Sequence, residues 1–187
     1  MCVEIEAKLK VDSLKEIAEK LDGLGAEFLE EQLQTDYHFD DANMTLQKTD
    51  RCLRLRRQLV NEHERFFLTY KGAKEKSEFK KRQEIEIEIT DNDSIQKLFS
   101  ALGYEKVLVI EKKRLFWQLG DCEVALDKLP LIGNFVEIEG PDEGKIADVQ
   151  KSLGLSGLSH IKKSYSALIR AKLRELGKEQ KEVFLET

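Results

Sequence analysis

Charged and aliphatic positions alternate from the start of the chain. Val3, Ile5, Ala7, Leu9 and Val11 interleave with Glu4, Glu6, Lys8 and Lys10. Successive side chains of a strand point to opposite faces, so this period of two predicts a strand with one aliphatic and one charged face. The pattern returns further on. Arg54 and Arg56 alternate with Leu53 and Leu55, and Thr69 and Lys71 with Leu68 and Tyr70. Arg82, Glu84, Glu86 and Glu88 alternate with Ile85, Ile87 and Ile89, while Lys112 and Arg114 share one face of a long segment. Glu123, Ala125 and Asp127 alternate with Val124 and Leu126, and Glu137 and Glu139 with Val136 and Ile138. Strands are expected over about 3–11, 27–39, 52–59, 65–72, 81–90, 106–118, 123–129 and 134–139.

Helical spacing separates some of these strands. Leu14, Ile17, Ala18, Leu21 and Leu24 follow a cap at Asp12 or Ser13 and stop at Gly25. Ile95, Leu98, Phe99 and Leu102 follow Asp93 or Ser94 and stop near Gly103. Two further helices are expected over about 143–153 and 160–176. Residues 40–50 read as a polar loop, the lysine-rich 73–79 as a mobile connection, and 177–187 as a frayed C-terminal tail.

The organisation repeats. Glu4-Ile5-Glu6, a helix ending Leu24-Gly25 and a strand near Phe39 recur as Glu84-Ile85-Glu86, a helix ending Leu102-Gly103 and a strand through Phe116. Two such halves closing into one antiparallel barrel would leave no open edge. For any single strand a solvated outer face accounts for the charges. Gathered into one closed sheet with helices on the aliphatic side, the charged faces must line the lumen. That many buried charges need partners or a charged ligand.

Composition narrows the picture. With 187 residues the chain suits one domain, placed over residues 1–176. Charged residues make up 36%, and the net charge of −5 argues against a general nucleic-acid binder. No apolar run reaches membrane-spanning length, and no secretory signal pattern is present. Cys2, Cys52 and Cys122 lack zinc-type spacing, which fits reduced thiols and a cytoplasmic setting.

The ordered motifs carry a family resemblance. They are Glu4-x-Glu6-x-Lys8, Asp36-Tyr37 with Asp40, Leu53-Arg54-Leu55-Arg56, Thr69-Tyr70-Lys71-Gly72, Arg82-x-Glu84-x-Glu86, Lys112-x-Arg114, Leu126-Asp127 and Gly133-x-x-x-Glu137-x-Glu139. Over residues 2–168 the chain resembles the CYTH-type triphosphate tunnel metalloenzymes, which include class IV adenylyl cyclases, thiamine triphosphatases and inorganic triphosphatases.

The resemblance implies an α+β fold: an eight-stranded antiparallel β-barrel flanked by helices, with an internal two-fold pseudo-repeat. It implies triphosphate contacts from Lys8, Arg54, Arg56, Lys71, Arg82, Lys112 and Arg114, with Lys163 reaching the tunnel mouth. Forked guanidinium groups suit phosphate oxygens. Glu4, Glu6, Glu137 and Glu139 are implied ligands of Mg²⁺ or Mn²⁺, with Glu84 and Glu86 as candidates for a second ion. Glu4, Glu6, Lys8, Lys71 and Asp127 form the implied catalytic set. The expected substrate is a small-molecule triphosphate, handled by a monomer or homodimer without nucleic-acid or membrane partners. Hydrolysis is the favoured reaction. Conversion of ATP to cyclic AMP and pyrophosphate is the alternative, and non-catalytic polyphosphate binding a second one.

Overall fold

The computed structural model describes residues 2–75 and 80–186, the side chains of 2–4, 80 and 81 excepted. The first half runs β1 (Cys2–Val11), α1 (Leu14–Gly23), β2 (Glu27–Asp41), α2 (Thr45–Lys48), β3 (Cys52–Val60) and β4 (His63–Lys71). The second runs β5 (Lys80–Ile89), α3 (Asn92–Ala101), β6 (Tyr104–Leu119), β7 (Cys122–Leu129) and β8 (Gly133–Glu139). It is followed by α4 (Glu143–Ser152), α5 (Tyr165–Glu175) and the short β9 (Glu182–Val183). This is an α+β fold on a mostly antiparallel sheet.

Short polar side chains start the helices, accepting N–H groups that the first turn leaves unpaired. Ser13 caps α1 and Asp142 caps α4. Asp91 caps α3, two residues ahead of the expected start. The expected polar loop 40–50 contains α2. The buried Asp40 carboxylate accepts from the N–H groups of Leu46 and Gln47, each at 2.9 Å, and so organises that turn.

Strand neighbours follow the order β2-β3-β4-β5-β1-β8-β7-β6, and β6 pairs again with β2. Each strand from β1 to β8 therefore has a strand on both sides. Exchanging β1–β4 with β5–β8 maps this order onto itself, as the sequence repeat anticipates. The seam between β1 and β5 is short, running only from Cys2↔Glu84 to Glu6↔Lys80. Beyond it the backbone N–H of Ile161 donates to the Lys8 carbonyl at 2.8 Å.

Apolar clusters form on both faces of the sheet. Outside, α1 and α4 cover Leu9, Val124, Leu126, Val136 and Ile138, and α3 covers Leu55 and Phe39 through Phe99. The aliphatic face of β5 is not covered in this way, leaving Ile85 and Ile87 about half exposed. Inside, Leu108, Ile110, Leu129 and Phe135 share the lumen face with Lys112, Asp127 and Glu137, and they pack on Ile169 and Leu173 of α5. The last helix thus fills one part of the interior. The lumen is divided into an apolar region under α5 and a charged remainder.

Two expectations for the C-terminal part are corrected. The last helix starts at Tyr165, where the Ser164 side chain accepts from the Ala167 N–H, so residues 160–164 are not helical. The tail expected to fray adds β9 parallel to Val109–Ile110 of β6 and buries Val183. Of the expected mobile connection 73–79, residues 76–79 lie outside the described residues.

Candidate functional site

A cavity of about 1260 Å³ opens into the charged part of the lumen. Its walls carry Glu6 and Lys8 from β1, Arg54 and Arg56 from β3, and Lys71 from β4. They also carry Arg82, Glu84 and Glu86 from β5, Lys112 and Arg114 from β6, Glu137 and Glu139 from β8, and Lys163 ahead of α5. Strand alternation puts all of these but Lys163 together, because each lies on the face opposite the outer apolar clusters. Asp127 is completely buried and does not line the cavity. The Glu4 side chain lies outside the described residues, though its backbone stands opposite Arg82.

Most of these charges neutralise one another. The Arg56 guanidinium grips Asp36 through two bonds of 2.6 and 2.9 Å, and Arg54 lies 3.7 Å from the same carboxylate. Burial disfavours the charge on Asp36, yet Arg56 and Arg54 outweigh it and hold the carboxyl well below its ordinary range. Arg114 bonds both oxygens of Asp127 and also Glu137. Lys8 sits 3.0 Å from Glu137 and 3.6 Å from Glu6. Burial opposes its charge, but the carboxylates, Glu137 foremost, raise its pKa.

Three groups depart from this balance. Burial first, then the like charge of Arg114, brings Lys112 down to about 7. Burial lowers His38 to about 4, leaving a neutral imidazole at pH 7 whose Nδ1 lies 3.4 Å from the Cys52 sulfur. The Nε donors of Arg54 and Arg82 are buried without any hydrogen-bond partner. An unmet buried donor costs about 1–3 kcal/mol, more when charged.

The carboxylates separate into two sets. Glu139 stands opposite Glu6 on β1 and opposite Glu123 on β7, giving a row of three across neighbouring strands, and Glu137 is two residues away. Glu84 and Glu86 belong to another wall, where Glu84 pairs with Lys71 and Glu86 with Arg54 and the Thr69 hydroxyl. Because Glu6 stands opposite Lys80, Glu84 is about 13 Å further along β5 at the usual rise. As the side chains stand, no three ligating groups converge as a metal cage among the described residues.

Tyr165 was absent from the expected site. Its hydroxyl donates to Asp127 at 2.7 Å, and its ring lies 4.2 Å from the Lys8 ammonium and 5.1 Å from that of Lys112. Burial, then Asp127 and Glu137, keep its phenol protonated far above the usual range. Glu123 was visible only as part of an alternating strand, and its place beside Glu139 follows from pairing β7 with β8.

A mostly antiparallel sheet with paired cations and carboxylates gathered on one face defines the class. The CYTH domain model matches residues 3–165, and the chain belongs to that family. It is 32% identical to a Methanocaldococcus jannaschii protein provisionally named an adenylate cyclase, over 89% of this chain and 98% of that one. The structure of a Pyrococcus horikoshii protein is similar with a TM-score of 0.78 and 31% identity, covering 90% of this chain and 99% of the other. A Hippeastrum protein, described as an adenylyl cyclase candidate with dominant triphosphatase activity, shares the fold at a TM-score of 0.68 and 19% identity, over 95% and 97% of the two chains. No helix among the described residues is long and apolar enough to cross a membrane.

Proposed function

We propose that the protein is a divalent-metal-dependent enzyme that hydrolyses a triphosphate compound, with the eight-stranded ring serving as a barrel-shaped tunnel. The observation that carries this reading is the pair of buried, unpartnered Nε donors on Arg54 and Arg82. The two arginines line a cavity that also holds Lys8, Arg56, Lys71, Lys112 and Arg114. A triphosphate would supply the acceptors those donors lack, and forked guanidinium groups match phosphate oxygens.

The Glu6–Glu139–Glu123 row fits a hard divalent ion such as Mg²⁺ or Mn²⁺, since it offers only oxygen donors and lines the cavity. Glu137 and Glu4 extend that set. A bound ion would neutralise phosphate charge as the reaction proceeds. Lys8, bridging Glu6 and Glu137, keeps the acidic row close to the cationic walls. Arg54, Arg82 and Lys71 then orient the phosphate chain. Glu84 and Glu86 act in this reading as counter-charges that place Lys71 and Arg54. Asp127 is a positioning residue for Arg114 and Tyr165.

A second reading, cyclisation of ATP, is favoured by the name of the 32%-identical relative. Products separate the two. Protein incubated with tripolyphosphate, thiamine triphosphate or ATP plus Mg²⁺ or Mn²⁺ is expected to release orthophosphate. Cyclic AMP with equal pyrophosphate, and no orthophosphate from tripolyphosphate, would support the cyclase instead.

A further inference from the structure

The cavity extends past the cations that would grip a triphosphate. Its volume of about 1260 Å³ exceeds the roughly 300–1,000 Å³ of common small-molecule sites. Ala167, Arg170, Ala171 and Arg174 of α5 line the cavity at helical spacing i, i+3, i+4 and i+7, while Ile169 and Leu173 turn to the apolar interior. Arg51 in the α2–β3 connection and Lys74 in the β4–β5 connection also line the cavity.

These cations differ from those of the inner walls. Lys74 pairs with Asp50, but Arg51, Arg170 and Arg174 lie within 4 Å of no described carboxylate. The Arg51 guanidinium donates to the Thr49 hydroxyl at 2.9 Å. The leading acidic influence on Arg170 is Asp40, whose carboxylate already accepts from the first turn of α2. Burial first, and neighbouring Arg174 to a lesser degree, disfavour the charged form of Arg170 against the opposing influence of Asp40 and Cys52. This part of the cavity adjoins the inner site through Cys52, which stands opposite Lys71 and two residues before Arg54.

We propose that Arg170 and Arg174 of α5, with Arg51, form a second anion subsite that selects linear polyphosphate chains longer than three phosphates. The proposal rests on the triphosphate reading of the inner site. An inorganic chain keeps negative charge along its whole length, so its fourth and later phosphates would meet these guanidinium groups. A nucleoside would bring a neutral sugar and base to the same place.

Calorimetric titration of the full chain with tripolyphosphate, tetrapolyphosphate and ATP tests this. Tetrapolyphosphate is expected to bind about tenfold more tightly than tripolyphosphate, the order given by one or two charge-assisted contacts. The double variant Arg170→Ala, Arg174→Ala should bind tripolyphosphate as the parent does and lose the chain-length preference. The double variant Arg170→Lys, Arg174→Lys should recover part of it. Equal affinity for the two chains, or a preference for ATP that the alanine variant abolishes, overturns the subsite while leaving the inner site standing. No binding of any of the three overturns both.

Discussion

The phenol of Tyr165 donates to Oδ2 of Asp127 at 2.7 Å, joining the first turn of the last helix to a fully buried carboxylate inside the sheet. Arg114 donates to both oxygens of that carboxylate, Oδ2 included. Residues 38 positions apart thereby fix α5 in the lumen and orient a guanidinium of the cavity wall. Tyr165→Phe should lower stability by about 1.5–3 kcal/mol, the usual worth of one hydrogen bond to a charged group, although Arg114 still bonds both oxygens. Urea unfolding measures it. An unchanged midpoint would show that the bond contributes nothing.

Lys112 should make phosphate binding depend on pH. Its pKa of about 7 in the folded protein is depressed from 10.5, chiefly by burial. The unfolded chain binds the proton more readily between these values, so the stability penalty from charged Lys112 is full below pH 7 and relieved as pH rises towards 10.5. Anion binding works in the opposite sense, because it needs the charged form. Affinity for tripolyphosphate without metal should fall from pH 7 to 9, relative to Lys112→Arg, which stays charged. Parallel profiles for the two proteins would contradict this.

The C-terminal strand should matter to stability. Val183 is buried, and the Lys181 carbonyl accepts from the Val109 N–H at 2.7 Å. Removing residues 180–187 uncovers the apolar contact and unpairs that donor, at a cost of about 2–4 kcal/mol. Denaturant midpoints of the full and shortened chains give the answer. Equal midpoints would return the segment to the frayed tail the sequence suggests.

Much of the charged site was legible because strand alternation is a strict rule. Arg54 and Arg56, or Glu137 and Glu139, must share a face, and the outer clusters around Leu9 and Val136 decide which face is inside. The division of the interior was harder to see. On β6, Leu108 and Ile110 are in phase with Lys112 and Arg114, a change from apolar to charged along one face. That signal shows the interior is part apolar, but not that α5 enters to fill it. Tyr165 and Arg170 stay hidden for the same reason, since a helix's partner is a tertiary fact. The Glu6–Glu139–Glu123 row needed the strand register, which motif spacing alone does not supply.

Turnover should depend on the acidic row and on a divalent ion. Glu139→Gln keeps shape and removes one ligand charge, so activity at fixed Mg²⁺ should fall about 10–100-fold, the range seen when metal-site support is lost. Calorimetry should still detect tripolyphosphate. Full activity in excess chelator would contradict the role of the row.

The central claim is that the charged lumen is a phosphate-chain site, and titration of the parent chain and Arg82→Met with tripolyphosphate tests it most directly. Arg82 is buried with an unpartnered Nε. The parent should bind one equivalent saturably, and Arg82→Met about tenfold or more weakly, as expected for the loss of a charge-assisted bond of about 1.5–3 kcal/mol. Absence of saturable binding by the parent, or identical affinity in the variant, would contradict the account.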